Sequence, residues 1–208
     1  IYKKKVEEIT LKKNVLIELN QKYKFKTDTA QYYKLKNKIT VDNPSTISDN
    51  LGNSIYAKKS IFSIDEKLLK IKSVKMQDVE NNVYYFENAI INFKTNEIIG
   101  DNVKIDFVKK SFGNEQNDPR LRGNYVFRDK NSTVIKKGVF TTCKKDGDCP
   151  PWQFKAGEIK HDKLKKTIYY KNAWLEIYDK PVFYFPKFFH PDPTVKRQSG
   201  FLFPKIKS

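Results

Sequence analysis

His161 followed by Asp162, and His190 followed by Pro191, are the two histidines of the chain. A histidine beside a carboxylate is a pairing that general acid–base catalysis uses. Neither stands near a serine, threonine or cysteine in a nucleophile motif. The chain has no Gly-x-Ser-x-Gly elbow, no glycine-rich phosphate loop and no calcium-binding loop pattern. Asp146 and Asp148 flank Gly147, the ordinary composition of a turn. Cys143 and Cys149 bracket Lys-Lys-Asp-Gly-Asp. A loop this short can close as a local disulfide, which requires an oxidising compartment, or it can hold two inert thiols. Two cysteines with two distant histidines lack the paired spacing of a structural zinc site. The expectation is a protein that is not an enzyme, with no catalytic residues, no metal and no cofactor.

The rest of the chain is built for burial rather than reaction. Of its 208 residues, 38% are apolar and 31% charged, and the aromatics (14%) are almost all Tyr and Phe. That mixture favours strands. No stretch reaches the roughly 18 apolar residues of a membrane-spanning helix. The net charge of +17 fits an anionic partner, whether lipid phosphate, membrane surface or nucleic acid. It fits equally a general overuse of lysine, which is spread along the chain. Tyr and Phe interleaved with Lys can stack bases and neutralise phosphates, yet lysine alternating with apolar residues is what any half-exposed strand shows. No nucleic-acid partner is expected.

A unit repeats weakly: an aromatic or aliphatic pair, a small residue, an alternating strand, a polar turn and another strand. It occurs at Ser54–Ile64, Tyr84–Phe93, Phe154–His161 and Tyr169–Ile177, with turns at Asp65–Lys67, Thr95–Asn96 and Asp162–Lys165. Alternation at Val15, Ile17, Leu19 and at Val103, Ile105, Phe107, with a slip between Ile71 and Val74, predicts an all-β array. Glu7–Leu19 can be drawn as a helix, but its alternating end argues for a strand. Units that cannot bury an apolar face alone must stack. About twelve strands spaced roughly 4.8 Å apart give a stack of about 50 to 60 Å, with an apolar inner face and a free edge at each end.

The stretch from Gly138 to Pro204 resembles the LptD family of outer-membrane lipopolysaccharide-assembly proteins. The likeness is carried by Gly138–Cys143, Pro150-Pro151-Trp152-Gln153-Phe154, Ile168–Ala173, Pro181-Val182-Phe183-Tyr184-Phe185-Pro186 and Arg197-Gln198-Ser199-Gly200-Phe201-Leu202. Pro-Pro-Trp and His190-Pro191-Asp192-Pro193-Thr194-Val195 are similar to alphaproteobacterial members. Residues before about 110 match only through the generic OstA-like strand repeat. The resemblance implies a β-jellyroll of stacked antiparallel strands, V-shaped or taco-like in section, over residues 1–195. A junction and the start of a first membrane-barrel strand would follow at 196–208.

The resemblance also implies a periplasmic domain at the outer membrane of a Gram-negative cell. It would receive lipopolysaccharide (LPS) from an LptA-like bridge protein at its N-terminal edge and pass it to a barrel plugged by an LptE-like lipoprotein. Cys143 matches the family cysteine that pairs with one late in the barrel, whereas Cys149 departs from the pattern and leaves a local bond open. Pro204 matches a proline of the first barrel strand, where a missing backbone donor weakens pairing at a lateral gate. An acyl chain of about twelve methylenes, at about 0.8 kcal/mol each, resists water by about 10 kcal/mol. Groove candidates are therefore the apolar strand residues Ile61, Phe62, Tyr85, Ile91, Phe93, Ile105, Phe107, Ile168, Tyr170, Leu175 and Ile177, with the inward parity left open. The rivals are an LptA- or LptC-like bridge component and a basic β-protein that binds nucleic acid.

Overall fold

The computed structural model describes residues 7–19, 23–50, 52–109, 116–145, 151–191 and 195. Cys149, Pro204 and the 196–208 junction lie outside the described residues. No α-helix occurs among the described residues. The strands are β1 (Glu8–Leu19), β2 (Tyr23–Tyr33), β3 (Lys38–Val41), β4 (Ser45–Asp49), β5 (Ser54–Ser63), β6 (Leu68–Gln77) and β7 (Val83–Asn92). They continue with β8 (Glu97–Asp106), β9 (Arg120–Arg128), β10 (Ser132–Thr141), β11 (Trp152–Asp162), β12 (Thr167–Ile177) and β13 (Lys180–Pro191). All pair antiparallel with sequence neighbours in one sheet of β-jellyroll type. β3 and β4 share a single position, each bonding one half of β2 and of β5. Their interruption contains Pro44, which fixes φ and has no N–H to give a ladder.

Each of the long strands bends at its middle, and the cause is visible in the residues. Two consecutive side chains point outward where alternation would send one in: Lys58-Lys59 in β5, Lys72-Ser73 in β6, Glu87-Asn88 in β7 and Lys171-Asn172 in β12. Ser73, Asn102, Lys137 and Asn172 have positive φ at these corners, as do Lys13 and Asn14 in β1. Asparagine tolerates that region best among residues with a Cβ. The slip between Ile71 and Val74 in the sequence is the β6 corner.

The corners line up and crease the sheet into two facing arms. One arm carries Tyr23–Thr27, Ile47, Ile55, Val74–Met76, Tyr84–Phe86 and Val103–Ile105; the other carries Thr40, Ile61, Ile71, Ile91, Ile98 and Val126. Small inward residues mark the crease: Ala57, Ala89, Gly100, Gly123, Gly138, Ala156 and Ala173. The register opposes Ala89 to Gly100, Gly138 to Ala156 and Ala156 to Ala173. Side chains from just beyond the bend fill the space left free. A Cβ on Gly100 would lie 2.7 Å from Phe86, one on Gly123 2.3 Å from Ile135, and one on Gly138 2.6 Å from Ile159.

Turns at the tips of the second arm are stitched to one another. Ile64 N donates to Asn37 O (3.0 Å), Phe93 N to Lys67 O (2.9 Å) and Lys163 N to Asn131 O (2.9 Å). Among the described residues β1 and β13 each have one neighbour and form the two edges of the sheet. They differ in chemistry. β1 contains no proline over Glu8–Leu19, while β13 carries Pro181, Pro186 and Pro191, which cannot donate to an added strand.

Candidate binding groove

The inward face of the crease is mostly apolar, with Thr27, Ser45 and Ser60 buried towards its N-terminal end and His190 towards its C-terminal end. At the N-terminal end Ile17, Phe25, Ile39, Val41, Ser60 and Phe62 surround a pocket with about 10 Å³ of free space, barely what one water molecule needs. In the centre Leu69, Ile71, Met76, Phe86, Ile105 and Val126 are buried. At the C-terminal end Phe154 (β11) is the hub of an aromatic cluster. Its ring centroid lies 6.0 Å from Trp152, 5.8 Å from Tyr170, 6.2 Å from Phe185 and 5.6 Å from Phe188. Phe154 belongs to one arm and Tyr170 and Phe188 to the other, so this cluster joins them across the interior.

Two further contacts close the mouth between the arm tips. The rings of Tyr23 and Phe93, on opposite arms, stand 4.4 Å apart. Midway along, the Arg128 guanidinium sits 5.8 Å from the centre of the Tyr84 ring, a cation–π arrangement. The Tyr84 hydroxyl donates to Asp78 Oδ2 (2.9 Å), which fixes the ring beneath the guanidinium. Burial first, against the neighbouring Arg128 charge and with Asp78, pushes the Tyr84 phenol well above its ordinary value. Burial likewise lowers the Lys163 ammonium, helped by Arg128 and opposed by Asp129.

Nine of the eleven groove candidates have inward parity. Phe62, Ile91, Ile105 and Tyr170 are buried, and Phe93, Phe107, Ile168 and Leu175 pack against the core. Ile177 is half-buried and opposes Trp152. Ile61 and Tyr85 are corrected: both face outward. Ile61 is opposite Lys70, while its neighbour Phe62 points in opposite Leu69. Tyr85 lies between Lys75 and Lys104, with the Lys104 ammonium 5.4 Å from its ring centre. The physical reason is the corner, which reverses parity, so Tyr85 and Ile91 face opposite ways despite an even separation. The Phe154 hub and the Tyr23–Phe93 and Tyr84–Arg128 clasps join residues far apart in sequence, and no local pattern announces them.

The two histidines are placed differently. His190 is buried, its Nδ1 donating to Pro191 O (2.7 Å) and its Nε2 lying 3.0 Å from the Tyr170 hydroxyl oxygen. This chain satisfies three polar groups inside the aromatic cluster. His161 opposes Thr133 and Ile168 near the end of β11. Cys143 is a free thiol whose Sγ donates to Trp152 O (3.5 Å). No group of three or more metal-ligating side chains occurs among the described residues.

Burial of phenols sets a pH limit. Tyr170 and Tyr84 are held above their ordinary value mainly by burial, and Tyr23 by burial and the Asp49 charge. Their stabilisation is complete below about 10, where an unfolded tyrosine still holds its proton, and is lost as pH rises beyond it. The urea midpoint is therefore expected to fall steeply above pH of about 10, and Tyr170→Phe should flatten that decline. On the acid side Asp118, held low by the Lys145 N–H, and Glu158, held low by Lys136, contribute stability above about 4 that is lost as pH falls.

No protein-family model matches the chain. A stretch is similar to glutamyl-tRNA reductase of Sulfurisphaera tokodaii, 26% identical over 110 residues, covering 42% of this chain and 27% of that protein. The chain thus spans about a quarter of that relative's length, and a likeness of this size does not place it in that family.

Proposed function

We propose that this chain is the periplasmic β-jellyroll of an LptD-type protein, a passive conduit that takes LPS from a bridge protein and passes it towards a membrane barrel. The observation that carries the reading is the predominantly apolar inner face of a sheet whose end strands, among the described residues, do not pair with each other. A lipid in transit needs a continuous greasy surface with no deep trap, and the small free volume at the N-terminal end fits a slot that opens only around its cargo. Acyl chains enter by parting the arms at Tyr23–Phe93 and Tyr84–Arg128, and each displaced side chain is replaced by a methylene of similar character.

The two edges support the direction of transfer. β1, free of proline, can accept an added strand from a preceding jellyroll. β13 is interrupted by proline and leads towards the Ser199-Gly200-Phe201-Leu202 segment in which the family resemblance places the barrel junction.

A photoreactive phenylalanine analogue placed singly along β7 in cells making LPS tests the proposal. Phe86, Ala89 and Ile91 point in, and Tyr85 and Ile90 point out. LPS adducts are expected from the first three positions and not from the other two. Capture at both sets, or at neither, would end the conduit reading.

A further inference from the structure

The outward face of the first arm carries a row of side chains aligned across all twelve strand positions of the sheet. Five are cations: Lys26, Lys75, Lys104, Arg122 and Lys155. Four are aromatic: Tyr56, Tyr85, Trp174 and Tyr184. Leu16, Thr46 and Val139 complete it, and no position is acidic. The register joins each to the next, from Leu16–Lys26 through Tyr56–Lys75–Tyr85–Lys104–Arg122 to Lys155–Trp174–Tyr184. Acids appear only beside it, where Lys104 meets Asp106 (4.0 Å) and Lys155 meets Glu176 (3.6 Å).

The equivalent outward row of the second arm is a control within the same molecule. There Ile61, Lys70, Ile90, Ile99, Phe127 and Val134 align, and Lys160, Tyr169 and Phe189 follow. Two cations stand in that run of nine. The next outward row of the same arm, nearer the crease, does hold five, Lys59, Lys72, Lys136, Lys171 and Lys187, but intersperses them with Asp101 and Glu158. The first-arm row is set apart by its freedom from acids rather than by its number of cations.

We propose that this row binds a linear anionic glycan, its acidic groups on the lysines and arginine and its sugar rings against the tyrosines and tryptophan. Two features select that ligand. Neighbouring strands rotate by about 20°, so a row about 50 Å long winds around the molecule. A planar lipid surface can touch only a short part of it, whereas a flexible chain can follow it. At its centre, Tyr56-Lys75-Tyr85-Lys104, ring and cation alternate from one strand to the next, as hydrophobic and charged faces do along an acidic sugar repeat. The rings are each about 40% exposed, at 37 to 42%. Tyr85 is capped by Lys104, and Trp174 leans on Tyr184 with centroids 4.9 Å apart at 41°.

The test measures binding of a fluorescent oligogalacturonate to the purified chain at several salt concentrations. It compares Lys75→Gln/Lys104→Gln/Arg122→Gln with a control of equal charge change, Lys38→Gln/Lys70→Gln/Lys160→Gln, on the second arm. The row variant is expected to lose about tenfold or more in affinity, with the salt slope reduced by about 2, while the control stays within about twofold. Tyr85→Ala/Trp174→Ala is expected to weaken binding while leaving the salt slope unchanged. Equal losses in the two charge variants would reduce the effect to general basicity and overturn the proposal. So would tighter binding of an oligothymidylate of matched charge, which would make the row a nucleic-acid surface. No binding of the oligogalacturonate by the unaltered chain would overturn it as well.

Discussion

Phe154→Ala is expected to lower the unfolding free energy by about 3 to 5 kcal/mol, the range for emptying a fully packed aromatic site. Phe154 is 4% exposed and touches Trp152, Tyr170, Phe185 and Phe188 at once, so neighbours anchored on two arms cannot all collapse into the space. The same substitution at Tyr85 removes an outward ring and should cost no more than about 1 kcal/mol. The void left by Phe154 is lined by apolar rings and is expected to take up a hydrophobic dye that the unaltered chain does not bind. Urea unfolding and dye titration on the two variants measure both effects. A loss at Phe154 no greater than that at Tyr85 would mean that the arms are not held together through this ring.

The second large effect comes from adding atoms. Gly123→Ala places a methyl 2.3 Å from Ile135 Cγ2 and 3.2 Å from the Lys136 carbonyl. One of these neighbours is backbone and the other a branched side chain that is 4% exposed, so neither yields easily. Overpacking of this kind costs about 1 to 3 kcal/mol, and the upper end is expected here. Ile135→Ala alone should cost about 2 to 5 kcal/mol as a cavity. Combined, the two should cost less than their sum by about 1 kcal/mol or more, because each relieves the other. Simple additivity in a double-mutant cycle would show that Ile135 does not occupy the space over Gly123.

Strand content and turns were legible because they rest on local rules. The alternation of Val103, Ile105 and Phe107, and the polar segments at 65–67, 95–96 and 162–165, translate directly into β8 and the tip turns. The β1 strand, drawable as a helix over Glu7–Leu19, declared itself through Val15 and Ile17. Facing was less legible. Ile61 and Phe62 are adjacent and cannot share a face, and Tyr85 and Ile91 share one only if β7 is straight. What breaks the parity is a pair of outward residues at each bend, with Asn or Ser at positive φ in several strands, a feature that strict period-two reading averages away. The clasp of Tyr84 by Arg128 depends on two arms meeting, which no window along the chain contains.

The largely sequence-ordered pairing of strands, with three of the tip-turn pairs bonded to one another, makes length an adjustable trait. An extra hairpin inserted at a tip would add two rungs, about 10 Å, and would disturb only the rungs on either side. Such a molecule can be lengthened or shortened by duplication, as solenoids are, so its span can be matched by evolution to whatever gap it has to cross.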